Sequence, residues 1–382
     1  MRNRSVVWPA AGRPLPALAA AVLALACGHT EPFASPPYGS EAPFDPSPPR
    51  RLTFNTAADR APAWLADGSG LVYSAQQVDR PDNDVCLAVL PPTGGSQRAL
   101  HCDFPGGETR TDAIESAAPG PTGWLAFVSA SGTLGASGSS SEGIALGPTL
   151  DPRNAAMVRA FPVTPEGSTP QTTAEYLRWL DQTRLVWVGQ QVRLRSECSL
   201  CPLDTLRLPQ AVTVFDASQP GSASTAVPFT DGATGVGAGP AGDMVYYTIR
   251  GDTRIFRHTL STGGVIVVFD YGAAGIVRDV HAAGNRLAAI VGGRIAYVTD
   301  PQFGPMHVDS GGVVHVLDLN TMEDLALDGG DRLFRRPALS PAGDALVAEG
   351  YELILTPLPG AMPFRVDTTV SRSGDVYLFG AP

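Results

Sequence analysis

The chain has 382 residues, including 42 glycines and 35 prolines, a formal net charge of −10 and no lysine. This length suits one large all-β unit whose many tight turns would use that much glycine and proline. Acidity without a basic cluster argues against nucleic-acid binding and serves solubility, and a phosphate loop ending in lysine is excluded outright.

The first segment reads as a targeting signal. Arg2 and Arg4 precede an apolar stretch, Leu15 to Ala26, that stops at Cys27. About a dozen apolar residues suit the core of a signal peptide and are too few to span a bilayer as a helix. Leu23-Ala24-Leu25-Ala26-Cys27-Gly28 resembles the lipobox of bacterial lipoproteins, with Ala24 where leucine is usual and Leu23 one step further back. The resemblance implies cleavage before Cys27 and acylation of Cys27 as a membrane anchor, and Gly28 in place of aspartate points to the outer membrane. An ordinary secretory signal cleaved near Ala26, leaving Cys27 as a thiol, is the other reading. Loss of residues 1–26 removes Arg2, Arg4 and Arg13 and takes the net charge from −10 to about −13. Residues 27–49 are Pro-rich and read as a tether.

From 50 to 382 no apolar run keeps helical spacing, and one phrase recurs. It appears as Pro62-Ala63-Trp64-Leu65-Ala66-Asp67-Gly68 followed by Leu71-Val72-Tyr73, as Pro337-Ala338-Leu339-Ser340-Pro341-Ala342-Gly343-Asp344 followed by Leu346-Val347-Ala348, and as Ser373-Gly374-Asp375 leading into Val376-Tyr377-Leu378-Phe379. Each copy is a strand, a turn and an apolar strand, the unit of a β-propeller. Aligned on the strand after the turn, the anchors are Leu71, Leu125, Leu185, Val245, Leu287, Leu346 and Val376, at intervals of 54, 60, 60, 42, 59 and 30 residues. Most intervals hold two further strands, which predicts four-stranded blades; the second is the weakest, with Ser129 to Gly143 reading as a Gly/Ser-rich loop. In the sixth, Glu352–Leu358 and Pro363–Val366 are assigned to the outer strands. The terminal copy, Val370–Phe379, joined to an N-terminal strand at Arg51-Leu52-Thr53-Phe54, predicts a seventh blade that closes the ring. Six blades with a spare terminal hairpin is the alternative.

Five cysteines include Cys27 and four others. Cys86 and Cys102 lie in strands flanking the turn Thr93-Gly94-Gly95, whose position 94 is their midpoint. A hairpin folded there sets them opposite each other, about 4.5–5.5 Å apart at Cα and within disulfide reach. Cys198 and Cys201 form a lone Cys-Ser-Leu-Cys with no following helix and no second ligand pair, so a loop-stapling disulfide is favoured over a redox or zinc site.

The phrase Pro62-x-Trp64-x-x-Asp67-Gly68-x-x-Leu71-Val72-Tyr73 resembles the WD-like propeller repeat of TolB-type periplasmic proteins, whose pattern is Pro-x-Trp-Ser-Pro-Asp-Gly and an apolar strand. Leu65-Ala66 replaces the Ser-Pro, whereas Leu339-Ser340-Pro341 restores it and loses the Trp. The resemblance implies a binding platform without catalytic residues. It lacks the α/β domain that TolB places before its propeller, so a Tol-specific role is not implied.

There is no Gly-x-Ser-x-Gly elbow and no His-Glu-x-x-His. His101-Cys102 and Asp309-Ser310-Gly311 have a superficial likeness to serine-protease segments, but Val308 replaces the expected glycine and the repeats run through both. Asp79-Arg80-Pro81-Asp82-Asn83-Asp84 lacks the ordered spacing of a calcium loop and reads as a solvated turn. Trp64, Trp124, Trp179 and Trp187 read as packing between blades. The expectation is therefore a lipid-anchored extracytoplasmic propeller that is not an enzyme, carries no metal or cofactor and binds an envelope protein. The alternative is a sensor or enzyme that takes a small molecule or glycan into its central channel, and a purely structural envelope protein is a third reading.

Overall fold

A computed structural model describes residues 43–54, 57–76, 85–102, 110–133, 140–161, 174–195, 204–293, 295–300, 304–309, 311–357, 366–370 and 374–380, all within the unit Tyr38–Pro382. After β1 (Arg50–Arg51), blade one is β2 (Asp59–Trp64), β3 (Leu71–Gln76), β4 (Val85–Leu90) and β5 (Arg98–Cys102). Blade two is β6 (Arg110–Pro119), β7 (Trp124–Thr133), β8 (Ser140–Pro148) and β9 (Ala156–Phe161). Blade three is β10 (Glu175–Trp179), β11 (Arg184–Arg195), β12 (Asp204–Asp216) and β13 (Thr225–Ala226). Blade four is β14 (Ala233–Ala238), β15 (Met244–Ile249), β16 (Arg254–Thr259) and β17 (Gly264–Asp270). Blade five is β18 (Val277–Ala283), β19 (Arg286–Val291), β22 (Val313–Asp318) and β23 (Asp324–Ala326), with the hairpin β20 (Ile295–Asp300) and β21 (Gly304–Asp309) inserted. Blade six is β24 (Arg332–Leu339), β25 (Leu346–Pro357), β27 (Asp375–Phe379) and, from the other end of the chain, β1; β26 (Val366–Val370) pairs with the far end of β25.

The first strand of each blade packs beside the first strand of the next, and blade six meets blade one, so the ring is closed. Six apolar clusters fill the six gaps between blades. Because each blade is covered on both faces, the second strands read as continuous apolar runs rather than alternating ones. In β3, Leu71, Val72 and Tyr73 are all fully buried, as are Leu185, Val186 and Trp187 in β11.

The recurring phrase forms the turn between the first two strands. Leu65 N–H donates to the Gly70 carbonyl, Asp67 accepts from Ser69 N–H at 3.0 Å, and Gly68 takes the left-handed φ of 73° that the turn requires. In the later copy Ser340 Oγ donates to Asp344 Oδ1 at 2.7 Å and Gly343 has φ 76°. Its tryptophans bind blade to blade: Trp64 Nε1–H donates to the Ala338 carbonyl (3.0 Å), and Trp179 Nε1–H to the Ala118 carbonyl (2.8 Å), in each case on the first strand of the preceding blade. Trp187 is core, whereas Trp124 is 44% exposed.

Three sequence expectations are corrected. The ring has six blades, the stated alternative, and not seven. β25 runs past its blade to pair with β26, so the turn phrase before Val376 returns the chain to blade six as its third strand instead of opening a seventh. Leu346–Pro357 and Val366–Val370 accordingly form an extended hairpin where outer blade strands had been expected. The Gly/Ser-rich stretch of blade two is also largely strand: β7 reaches Thr133 and β8 starts at Ser140, in continuous register from Trp124↔Pro148 to Gly132↔Ser140. Phe44, in the Pro-rich segment, is buried between blades five and six, with the Arg286 guanidinium over its ring at 6.0 Å.

Cys86 and Cys102 are register partners in β4 and β5, with Cα atoms 4.4 Å apart and sulfurs at bonding distance. Cross-linking at a separation of 16 residues restricts the unfolded chain, so Cys102→Ser is expected to lower stability by about 3 kcal/mol, read from urea midpoints of oxidised samples. Equal midpoints for variant and parent would show that the bond contributes nothing. Cys27, Cys198 and Cys201 lie outside the described residues, as does the Asp79–Asp84 segment. Among the described residues no helix is long and apolar enough to cross a membrane.

Candidate functional site

Every first strand is bulged against its neighbour, at Arg60/Ala63, Glu115/Ala118, Glu175/Arg178, Ala233/Gly235, Val277/Val280 and Arg335/Ala338. A bulge re-aims side chains, here at the ring axis. In four strands the residue at the bulge is left-handed without being glycine: Ala61 (φ 49°), Ser116 (50°), Tyr176 (56°) and Arg336 (48°). That conformation costs roughly 1–2 kcal/mol per residue, which the surroundings must offset.

The residues opposite the first six anchors are Trp64, Pro119, Trp179, Ala238, Ala282 and Leu339. Four positions earlier stand Arg60, Glu115, Glu175, Thr234, Arg278 and Arg335, polar in every blade. Three positions earlier stand Ala61, Ser116, Tyr176, Gly235, Asp279 and Arg336. One position earlier stand Ala63, Ala118, Arg178, Gly237, His281 and Ala338. Of the set four positions earlier, Glu175, Thr234, Arg278 and Arg335 line one mouth of the channel, where the first strands begin, and a second mouth lies where they end.

Two buried carboxylates hold the middle. Asp279, 3% exposed, accepts from the Arg336 N–H at 2.7 Å and from the Tyr176 hydroxyl at 2.5 Å, joining blades three, five and six. Glu349, 2% exposed, accepts from the Ala61 N–H at 3.2 Å and from the Tyr351 hydroxyl, and lies 3.5 Å from Arg336 Nη1. Each carboxylate therefore satisfies the amide that a left-handed bulge exposes on the next blade. Burial, reinforced by the adjacent carboxylates, pushes the Tyr176 and Tyr351 hydroxyls well above the ordinary phenol range. Burial works against the charge of Arg335, but Asp279, Tyr176, Glu349 and Tyr351 more than offset it and raise the guanidinium pKa.

At the starting mouth a cavity of about 490 Å³ opens between blades three and six, lined by Glu175, Tyr176, Arg250, Arg278, Asp279 and Arg335 among others. At the opposite mouth a cavity of about 260 Å³ takes residues from all six blades, with Arg178 and His281 as its ionisable lining. Burial depresses Arg178 to about 10, and Asp279 and Tyr176 hold it from falling further. Arg278 is also lowered by burial. His281 Nδ1 accepts from the Leu339 N–H at 3.1 Å, and burial, then Arg178, holds the imidazole well below its ordinary pKa.

The His281 shift fixes the sign of a pH effect. A histidine lowered on folding contributes stability above its unfolded pKa of about 6.5 and loses it as pH falls toward the folded value. Below about pH 6.5 the folded chain should lose up to about 1.4 kcal/mol per pH unit through this group. His258, which burial lowers in the same direction, adds to the effect. Urea midpoints between pH 7.5 and 5 should show this slope, and His281→Gln should flatten it; an unchanged slope in that variant would exclude His281 as its source.

Among the described residues no cluster of three or more His, Cys, Asp or Glu side chains could hold a metal ion. His101 sits in the outer strand of blade one, its ring 6.0 Å from that of Phe127, and Ser310 lies outside the described residues. No sequence motif pointed to Tyr176, Arg178, Asp279, His281, Arg335, Arg336 or Glu349. The available signal was a polar residue in a strand otherwise made of small and apolar ones.

No protein-family model matches the chain, and no curated protein is found similar to it. Solved structures are. The gluconolactonase XC5397 of Xanthomonas campestris is similar at 14% identity and TM-score 0.51, over 91% of this chain and 99% of that one. TolB of Acinetobacter baumannii is similar at 16% identity and TM-score 0.47 over 81% of this chain, which spans 65% of the length of that protein. A luciferin-regenerating enzyme is similar at 12% identity and TM-score 0.47, over 87% of this chain and 95% of that one. These likenesses are of fold: the chain is a β-propeller, in agreement with the resemblance read from its repeat. They also correct the expectation that the chain is not an enzyme. A protein named as a gluconolactonase stands among its structural neighbours, so a propeller fold is no argument against catalysis. A catalytic set assembled from several blades would leave no linear motif to find.

Proposed function

We propose that this chain is an exported, lipid-anchored propeller that binds an acidic segment of an envelope protein at the channel mouth where the first strands begin. The observation that carries the reading is the convergence there of Arg250, Arg278 and Arg335, from blades four, five and six, on a cavity of about 490 Å³ in a chain of net charge −10. Guanidinium groups give planar, charge-assisted recognition of carboxylates, and an arginine-lined mouth in an acidic protein concentrates anionic partners locally. The first strands of blades five and six carry Arg278 and Arg335, and the turn after β15 carries Arg250. Export rests on the signal-like residues 1–26, and the sulfurs of Cys86 and Cys102 at bonding distance suit an oxidising compartment. Anchoring rests on the lipobox-like sequence ending at Cys27.

Crosslinking and pull-down from intact envelopes tests both parts. The parent chain should recover one acidic partner, Arg278→Gln/Arg335→Gln should lose it, and added salt should weaken recovery. Equal recovery by the double variant would overturn the mouth as the docking site. Recovery of no protein, together with saturable binding of a free organic acid to the same arginines, would move the reading to a small-molecule ligand. Cys27→Ser should shift the protein from the membrane fraction to the soluble one; persistence in the membrane fraction would overturn the anchor.

A further inference from the structure

The opposite mouth has a different chemistry and shares no lining residue with the first. Its walls are apolar: Ala63, Ala118, Ala238, Ala282, Leu339 and Pro341 stand with Trp64 and Trp179 around about 260 Å³. Both indole N–H groups are already committed to the Ala338 and Ala118 carbonyls, so the two tryptophans offer the cavity only carbon surface. The position before the anchor partner is small in four blades, as Ala63, Ala118, Gly237 and Ala338, and the first two of these line the cavity. In the other two blades the same position carries Arg178 and His281.

These two side chains are donors with capacity to spare. Arg178 Nη1 donates to the Leu177 carbonyl at 2.9 Å, but its buried Nε has no hydrogen-bond partner among the described residues. A buried guanidinium N–H without an acceptor is costly, and Arg178 lines the cavity, where its charge suits a carboxylate. His281 accepts at Nδ1, which places the ring proton of the neutral imidazole on Nε2 as a second donor. No carboxylate lines the cavity to compete for either group. At about 30 Å³ per water, the volume matches a molecule that displaces roughly eight waters.

We propose that this cavity binds a small monocarboxylate with an apolar body, its carboxylate on Arg178 and His281 and its hydrocarbon part against the alanines and the two indoles. Gly237, between the two donor blades in the ring, lets the first strands of blades four and five approach: a Cβ there would meet the Ala282 nitrogen at 2.8 Å. The inference stands independently of the partner reading, which concerns the other mouth.

Calorimetric titration of the full-length protein with sodium benzoate and with neutral benzamide tests it. Benzoate should bind saturably and raise the thermal midpoint, and benzamide should bind at least tenfold more weakly. Arg178→Met should abolish benzoate binding and Arg178→Lys should restore part of it. Arg153→Gln, at an exposed position outside both mouths, should leave it unchanged. Because Arg178→Met also removes a buried group of the fold, Ala238→Leu supplies a second arm that fills the space and keeps both donors; it too should abolish binding. Equal affinities for acid and amide, retained binding in folded Arg178→Met or Ala238→Leu, or no binding to the parent chain at millimolar benzoate would each overturn the proposal.

Discussion

Asp279→Ala should lower the unfolding free energy by about 3–5 kcal/mol, the usual cost of removing one side of a buried charged pair. The carboxylate is 3% exposed and serves three blades at once. Its removal strands the Arg336 N–H, whose left-handed backbone at φ 48° is held by that bond, and takes away the acceptor of the Tyr176 hydroxyl. It also removes the negative charge that supports Arg335, Arg278 and Arg178 in a region where burial alone would depress all three. Tyr176→Phe removes one hydrogen bond and leaves the charge balance intact, so it should cost about 1 kcal/mol. The double variant should cost less than the sum of the two, because the residues share one bond. Urea unfolding of the four proteins checks this. A loss below about 1 kcal/mol for Asp279→Ala would mean that water enters the middle of the channel and replaces the carboxylate.

The same residue shows where sequence reading reached its limit. Repeats are visible because a strand, a turn and an apolar strand must share local chemistry in every blade: six of the seven anchors fall in the second strands, and Asp67-Gly68 and Gly343-Asp344 lie in the turns between first and second strands. The hairpin of Cys86 and Cys102 was legible for the same local reason. Blade count was not, because the phrase before Val376 has the same turn chemistry whether it opens a blade or returns from an extended hairpin. Only the pairing of β27 with β25 decides between the two. The channel was hidden more deeply. Tyr176 and Asp279 are 103 residues apart, and each lies beside a bulge of its first strand. Strict alternation along a strand would have assigned those side chains to the wrong face. Once the first strands are aligned on their anchor partners, the ring Arg60, Glu115, Glu175, Thr234, Arg278 and Arg335 stands out, but that alignment requires the register.

The largest effect is expected at the seam where the two ends of the described chain meet. β1 completes blade six by pairing with β27, Arg50 opposite Leu378 and Arg51 opposite Tyr377. The bonding continues beyond the strand, from Leu52 N–H to the Val376 carbonyl and from Val376 N–H to Thr53 Oγ1. Arg51 Nη2 reaches Asp375 Oδ2 at 2.8 Å, and Leu52 is buried with Trp64, Leu71, Tyr73, Val376 and Leu378 between blades six and one. A chain lacking residues 1–54 should therefore lose more than these contacts. It would bare the edge of β27, whose five residues are all buried in the intact ring, and an unpaired edge recruits other strands. Such a chain should elute as oligomers and be cleaved readily within blade six by limited proteolysis. Leu52→Ala isolates the packing part of the effect and should cost about 2–5 kcal/mol while the protein stays monomeric. A truncated chain that remains monomeric with an unchanged urea midpoint would show that the other five blade interfaces suffice to hold the ring. In that case the N-terminal strand would be an attachment to the propeller and no part of its closure.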